Sequence, residues 1–417
     1  MSSTAAPAPA STSARAVRSG LVFVGVLLIA ANLRASITTV GPVLDDVQRD
    51  LRLGSVEASV LISLPLLAFA VVSPLAPALA RRFGIERTLG LALGLLAVGI
   101  VLRSLPGLAL LWIGTAALGV AIAILNVVLP ALVKRDFPHR IGQVTGLYSA
   151  VQSVFAALAA GLAVPIAGSS ESGWRLAFGI WAGLAIIALG VFAPQLRLRS
   201  VPEDTDATDA TDATDATTPV VPGAAAAGRS PWRTALGWQV TLFMGLQSVS
   251  YYVLVTWLAS IEHADGIGAA TAGLHQLLFN AFAIAGSLAS ATLIPRFSDQ
   301  RLIAATAPLF LVAAVLGLLL APELAAVWAC LAGIAGGGTI VLGLSLFGLR
   351  TRDHTQAAAL SGMAQSIGYL LAAAGPLAIG ALHDATSSWT TALVTLLAIA
   401  IAQIVFGLFA ARDRVIG

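Results

Sequence analysis

Residues 20–44 read GLVFVGVLLIAANLRASITTVGPVL, an almost unbroken apolar run with a single cation, Arg34, near its middle. At 1.5 Å per helical residue, about 20 such residues cross the roughly 30 Å hydrocarbon core of a bilayer. Laid along the rest of the chain, the same ruler gives further spans at 55–80, 86–104, 107–133, 140–167, 173–195, 235–260, 271–296, 301–320, 323–349, 356–383 and 387–411. The expectation is an all-α integral membrane protein of twelve transmembrane helices. Composition agrees: the 417 residues are 58% hydrophobic and only 10% charged, against roughly 25% charged for ordinary soluble domains. A chain this poor in charge cannot clothe a soluble globule, so a soluble enzyme is excluded.

The basic residues set an orientation. Of the 23 Lys and Arg, 18 fall in tails and loops on one side of these spans, Arg49, Arg52, Arg103 and Arg175 fall on the other, and Arg34 lies within. Cytoplasmic loops carry the excess of Lys and Arg, which puts both termini in the cytoplasm of a cell inner (plasma) membrane protein. Residues 1–19 read as a cytoplasmic tail rather than a cleaved signal, because no small-residue cleavage site follows the apolar run. Residues 412–417 form the second tail. The net charge of +3 then reports topology, and nucleic acid is not an expected partner.

Between the sixth and seventh spans lies the repeat TDATDATDATDATT at 205–218, followed by a Pro, Gly and Ala stretch. Its composition cannot bury enough apolar surface to fold, so residues 196–234 are expected to be a disordered acidic cytoplasmic linker. It separates a six-helix bundle at 20–195 from another at 235–411. The two repeat one another at an offset of about 214 to 217 residues: Arg82-Phe83 answers Arg296-Phe297, Thr145-Gly146 answers Ser361-Gly362, and Tyr148 with Gln152 answers Gln365 with Tyr369. Such internal repetition is the mark of transporters built from two pseudo-symmetric bundles.

Two six-helix halves, a long central loop and basic loops after the second span of each half resemble the major facilitator superfamily. The loop signature of that superfamily is partly kept as Pro77-Ala78-Leu79-Ala80-Arg81-Arg82-Phe83-Gly84-Ile85-Glu86-Arg87, with Arg81 where the acid normally stands. The usual ion pair must be absent or rebuilt, with Glu86 the available acid. Asn32-Leu33-Arg34, Gly41-Pro42, and the run from Asn126 through Pro130 and Lys134-Arg135-Asp136 to Thr145-Gly146-Leu147-Tyr148 are similar to the cyanate and 2-nitroimidazole transporter branch. The resemblance implies movement of small anions or small heteroaromatic solutes. The glycine-proline pattern of drug and proton antiporters is missing from the fifth span, where Phe155 stands in place of its second glycine.

Arg34 is the sharpest chemical signal. A charge at mid-membrane depth costs at least about 2.5 to 3.5 kcal/mol, and arginine does not escape by losing its proton. The carboxylates Asp45, Asp46, Glu57, Glu262, Glu323 and Asp384 all fall at outer span ends. A fixed cation without an intramembrane acid suits an anionic or electron-rich ligand, with capping of helix carbonyls as the alternative. Asn32 either lines the same cavity or bonds across to a neighbouring helix. Tyr148 and Gln152 in the fifth span, Gln247 and Tyr251 in the seventh, Asn280 in the eighth, and Gln365 and Tyr369 in the eleventh complete the candidate substrate site. Tyr252 and Trp257 read as lipid-facing or packing aromatics, and Gly336-Gly337-Gly338 as a close helix contact.

His275, about one turn inside the eighth span, is expected to be a solvated mouth residue. Five scattered His and one Cys supply neither a metal site nor a nucleophile with its base, so no metal, no cofactor and no enzymatic activity are expected. The function expected is secondary active or facilitative transport of a small anionic or electron-rich solute by alternating access, with a coupling proton or exchanged anion both open. An efflux pump for hydrophobic drugs is the main alternative, and a membrane-embedded sensor a weaker one.

Overall fold

The computed structural model describes residues 12–53, 55–169, 173–196 and 229–417. The expected linker falls largely on 197–228, and the first part of the expected N-terminal tail on 1–11; both lie outside the described residues. The first half comprises α1 (Thr12–Thr38), α2 (Leu44–Leu51), α3 (Ser55–Val72), α4 (Ala76–Phe83), α5 (Ile85–Ser104), α6 (Leu108–Asp136), α7 (Ile141–Ala167), α8 (Gly173–Gly179) and α9 (Trp181–Leu196). The second comprises α10 (Ala235–Ala264), α11 (Ala269–Leu293), α12 (Arg301–Leu320), α13 (Ala325–Leu349), α14 (His354–Thr386) and α15 (Trp389–Ala410).

Ten of these helices, together with α8 and α9 taken as one segment, give eleven spans long and apolar enough to cross a bilayer. The twelfth span is the pair α3 and α4, bent by 60° at the break. One continuous span is expected over 55–80; the break falls at Ser73-Pro74-Leu75, where proline has no N–H to donate and its ring clashes with the preceding turn. Prolines also lie within α6, α7, α12 and α14. They are tolerated there because side chains of neighbouring helices can satisfy the freed carbonyls.

In the first half, α5 packs along α6 and α9, and α1 packs on α7 and α9; in the second, α11 lies on α13 and α10 on α14 and α15. Glycine allows the closest of these approaches. A Cβ on Gly337 would lie 1.8 Å from the Ala283 carbonyl oxygen, and one on Gly333 would lie 2.2 Å from that of Phe279. Gly333 and Gly337 thus form a seam between α11 and α13, while Gly336 of the same triplet faces Tyr251 of α10.

The halves meet through α7 against α11 and through α14 against α3, α4 and α6. Most of this contact is at the end of the molecule that carries Arg82, Arg87, Arg140, Arg296, Arg301 and Arg350, called the basic end below. There a Cβ on Gly146 of α7 would lie 2.0 Å from the Ala291 Cβ of α11, so the helices touch backbone to backbone. Towards the other end, Leu158 and Leu162 of α7, Leu274 and Leu277 of α11 and Leu377 of α14 are exposed.

Glu86 does rebuild an ion pair at the basic end. Its carboxylate, 3% exposed, lies 2.7 Å from Arg135 of α6, which also pairs with Asp136 at 2.8 Å.

Candidate functional site

Arg34 projects from α1 at mid-depth and crosses to the second half. Its Nη1 donates to the Tyr251 hydroxyl at 3.4 Å, and its Cζ lies 5.4 Å from the centroid of that ring. Arg34 and Tyr251 are 217 positions apart, on the first helix of the first half and the first helix of the second. Tyr252 and Tyr369 stand within electrostatic reach of the same guanidinium. Among the described residues no carboxylate pairs with Arg34, and Tyr251 accepts its one hydrogen bond. Most of its five N–H donors are left for a ligand.

Tyr251 extends the site into the second half. Its ring packs on Phe279 of α11, 5.8 Å away and tilted by 34°, and meets Tyr252 edge-on at 5.4 Å. Behind it Gln247, Ser250, Thr339 and Gln403 line a cavity shared with Tyr251 and Phe279. Gln403 of α15 is 1% exposed, and neither amide atom has a partner among the described residues. Across the interface the Tyr369 ring lies 4.8 Å from Phe69.

The structure therefore gathers Arg34, Gln247, Tyr251 and Tyr369 of the expected site, and adds Tyr252, Phe279 and Gln403. Tyr252, expected from sequence to be a lipid-facing or packing aromatic, packs edge-on against Tyr251 and stands within electrostatic reach of Arg34. Gln152 is partly exposed on α7; Asn280 is exposed, its amide donating to the Gln276 carbonyl at 2.8 Å.

Three expected site residues are otherwise engaged. Asn32, 2% exposed, donates to the carbonyls of Leu28 at 2.9 Å and Leu184 at 3.3 Å, so it ties α1 to α9 inside the first half. Tyr148 is buried in the core of that half. Gln365 bonds across the interface, donating to the Asn126 carbonyl at 2.9 Å, and along its own helix to Ser361 Oγ at 2.8 Å.

The bond from Gln365 has a definite cause. Pro130 removes the N–H that would have bonded the carbonyl four residues earlier, which is that of Asn126. Ser366 does the same for α3: its Oγ donates at 2.6 Å to the Ala70 carbonyl, which Pro74, four residues on, leaves without a donor. Adjacent residues of α14 thus satisfy two proline-freed carbonyls on the opposite half, one turn or less below Tyr369.

Arg103, expected at the outer edge, is 1% exposed. Its Nη2 donates to the Ser36 carbonyl at 2.7 Å, and its Cζ sits 4.4 Å over the Phe178 ring. Because α1 ends at Thr38, the Ser36 carbonyl is one of the last four that lack an intrahelical donor. A cation there also complements the helix dipole, and it fixes α1 within one turn of Arg34. His275 differs from expectation as well. It is 8% exposed, with its Nδ1 3.1 Å from Oε1 of the fully buried Glu262.

Residues 26–373 match the Major Facilitator Superfamily. The chain belongs to that superfamily. Its relatives place it in the cyanate and 2-nitroimidazole branch and show a transporter of the major facilitator type. It is 41% identical over 399 residues to the 2-nitroimidazole transporter of Escherichia coli (strain K12), covering 94% of this chain and 96% of that one. It is 28% identical over 376 residues to the cyanate transport protein CynX of the same organism, covering 87% and 90%. Among solved structures, the transporter FucP in its outward conformation superposes with a TM-score of 0.71 at 15% identity, over 94% of this chain and 98% of that one. That last likeness concerns the fold alone.

Proposed function

We propose that this transporter moves a small anionic or electron-rich planar solute, such as a nitro-heteroaromatic, a cyanate-like anion or a small carboxylate, by alternating access around Arg34. The observation that carries the reading is the guanidinium itself: a permanent cation at mid-depth, between the halves, with one phenol as its hydrogen-bond partner and no acid among the described residues. The planar fork of arginine matches the paired oxygens of a nitro or carboxylate group. Tyr251 and Phe279 offer aromatic faces for a ring, and the amides of Gln247 and Gln403 offer donors and acceptors beside it. The names of the two bacterial relatives, a 2-nitroimidazole transporter and a cyanate transport protein, support the same solute class.

With the basic end in the cytoplasm, as the distribution of Lys and Arg favours, the chain sits in the inner membrane with both termini inside. The halves then meet on the cytoplasmic side of the site, through Gly146 against Ala291 and Gln365 against Asn126. Rocking of one bundle against the other would expose Arg34 to the other side.

The test is uptake into proteoliposomes of 2-nitroimidazole, cyanate and benzoate, compared with bulky hydrophobic cations. Saturable uptake of the small solutes supports the reading. Transport of the hydrophobic cations alone would replace it with drug efflux, and binding without flux would replace it with a sensor.

A further inference from the structure

Two groups at the central site are held very differently. The Tyr251 hydroxyl accepts from Arg34 at 3.4 Å, long against the about 2.7 to 2.9 Å of a strong bond from a cation to an anionic oxygen. Gln403 of α15 is 1% exposed, and neither amide atom has a hydrogen-bond partner among the described residues. Both side chains line the same cavity. A weakly held phenol thus stands beside an unused amide.

The cavity limits what that amide can bind. It has room for about one group the size of a water molecule, which is too little for a solute ring. The hydroxyl protons of its other lining residues go to their own helices: Ser250 Oγ donates to the Leu246 carbonyl at 3.0 Å, and Thr339 Oγ1 to the Ala335 carbonyl at 2.8 Å. Tyr251 is different, because its oxygen accepts from Arg34 and its own proton is left to give. A phenolic hydroxyl is of water size, and the Gln403 amide offers it both an acceptor and a donor. Gly336 of α13 lies beside the ring without a side chain to block its turning; a Cβ there would already lie 3.6 Å from Tyr251 Cδ2.

The bond to Arg34 also ties the halves together at the level of the site, from α10 of the second to α1 of the first. An anionic solute competes for the same guanidinium. Its two-pronged ionic pairing outmatches a single long bond to a neutral phenol. A displaced phenol with no other partner would be a buried, unsatisfied hydroxyl, and solute binding would weaken by about 5- to 150-fold.

Resting on the reading of Arg34 as the solute site, we propose that Tyr251 is a latch with two positions and that Gln403 is its second berth. Without solute, the Tyr251 hydroxyl bonds Arg34 and ties α10 to α1. Solute arriving at the guanidinium displaces the hydroxyl, which turns into the cavity and bonds the Gln403 amide. The tie between the halves is released when the site is filled, so they rock with solute in place. Gln403 is then a positioning residue that acts on the solute through Tyr251.

The chain has four tyrosines, so the full protein labelled with 3-fluorotyrosine in lipid nanodiscs gives a simple fluorine NMR spectrum. The resonance lost in Tyr251→Phe is that of Tyr251. Arg34→Ala removes the first berth without any solute and is expected to shift this resonance; adding Gln403→Leu to Arg34→Ala is expected to shift it again. Cyanate, a probe without a ring, is expected to move the wild-type resonance towards its position in Arg34→Ala. Calorimetric binding of cyanate should weaken by about fivefold or more in Gln403→Leu. The same substitution should leave binding unchanged in a Tyr251→Phe background. Gln403→Met serves as the second variant where Gln403→Leu lowers the yield of folded protein. An Arg34→Ala resonance indifferent to Gln403→Leu would overturn the proposal. So would an equal loss of cyanate affinity in both backgrounds, which would make Gln403 a direct solute contact, or no loss in either. If wild type binds no cyanate, the solute reading fails for that anion, and the solute-free Arg34→Ala spectra alone decide whether Tyr251 takes the berth at Gln403.

Discussion

Replacing Gln365 with Leu removes the side chain that closes the two halves over α6. The substitution keeps the bulk but leaves the Asn126 carbonyl, already deprived of a helical donor by Pro130, without its 2.9 Å bond. An unsatisfied buried acceptor costs about 1 to 3 kcal/mol. Because the bond spans the halves, the cost falls on the state closed at the basic end and not on the state in which the halves part there. The ratio of the two states should shift by about 5- to 150-fold. The shift can be read with a reporter cysteine. Cys330 is replaced by Ala, and Ala358 by Cys, since Ala358 is buried on α14 against the core of the first half near the basic end. Where opening is fast relative to alkylation, the labelling rate by a water-soluble maleimide tracks the open population. Gln365→Leu should raise that rate by at least about fivefold, with the thermal midpoint of the folded protein little changed. An unaltered rate in well-folded protein would refute the role given to the proline-freed carbonyl.

Gly146→Ala should raise labelling at the same reporter, because its Cβ would lie 2.0 Å from that of Ala291 and wedge the basic end open; double electron-electron resonance across α7 and α11 would show the added distance. Arg103→Ala should lower stability by about 1.5 to 3 kcal/mol through loss of a charge-assisted bond to the end of α1, seen as a lower melting temperature in detergent. Arg103→Lys should restore only part of it, since an ammonium cannot both reach Ser36 and stack on Phe178.

The fold was largely legible because hydropathy is a local property. The expected span 301–320 coincides with α12, and the repeat offset pointed to two halves. The break in the second span was less so: Pro74 marks it, yet proline is common inside membrane helices, and only packing decides whether one bends by 60°. Arg34 stood out by cost alone. Asn32 could not be assigned, because the same amide serves cavity or seam according to which helix lies beside it, and here that helix is α9. Gln365 was visible as a polar residue on the interface helix, but its partner, a carbonyl freed by a proline on another helix, is a tertiary fact. Arg103 was hidden by its position near a span end, where arginines usually reach for water. Gln403 could have been found, being the one amide within the long apolar run of α15. Glu262 and His275 lie on different helices and share no periodic pattern, so nothing short of the packing of α10 on α11 reveals them as a pair.

The most direct test of the central site is calorimetric binding of 2-nitroimidazole and of cyanate to the protein in lipid nanodiscs, for wild type, Arg34→Ala and Arg34→Lys. Loss of a charge-assisted contact worth about 1.5 to 3 kcal/mol predicts affinity weakened by about tenfold to a hundredfold in Arg34→Ala. Arg34→Lys should recover part of that loss, since the ammonium keeps the charge without the planar fork. Binding by Arg34→Ala as tight as by wild type would contradict a solute held at Arg34.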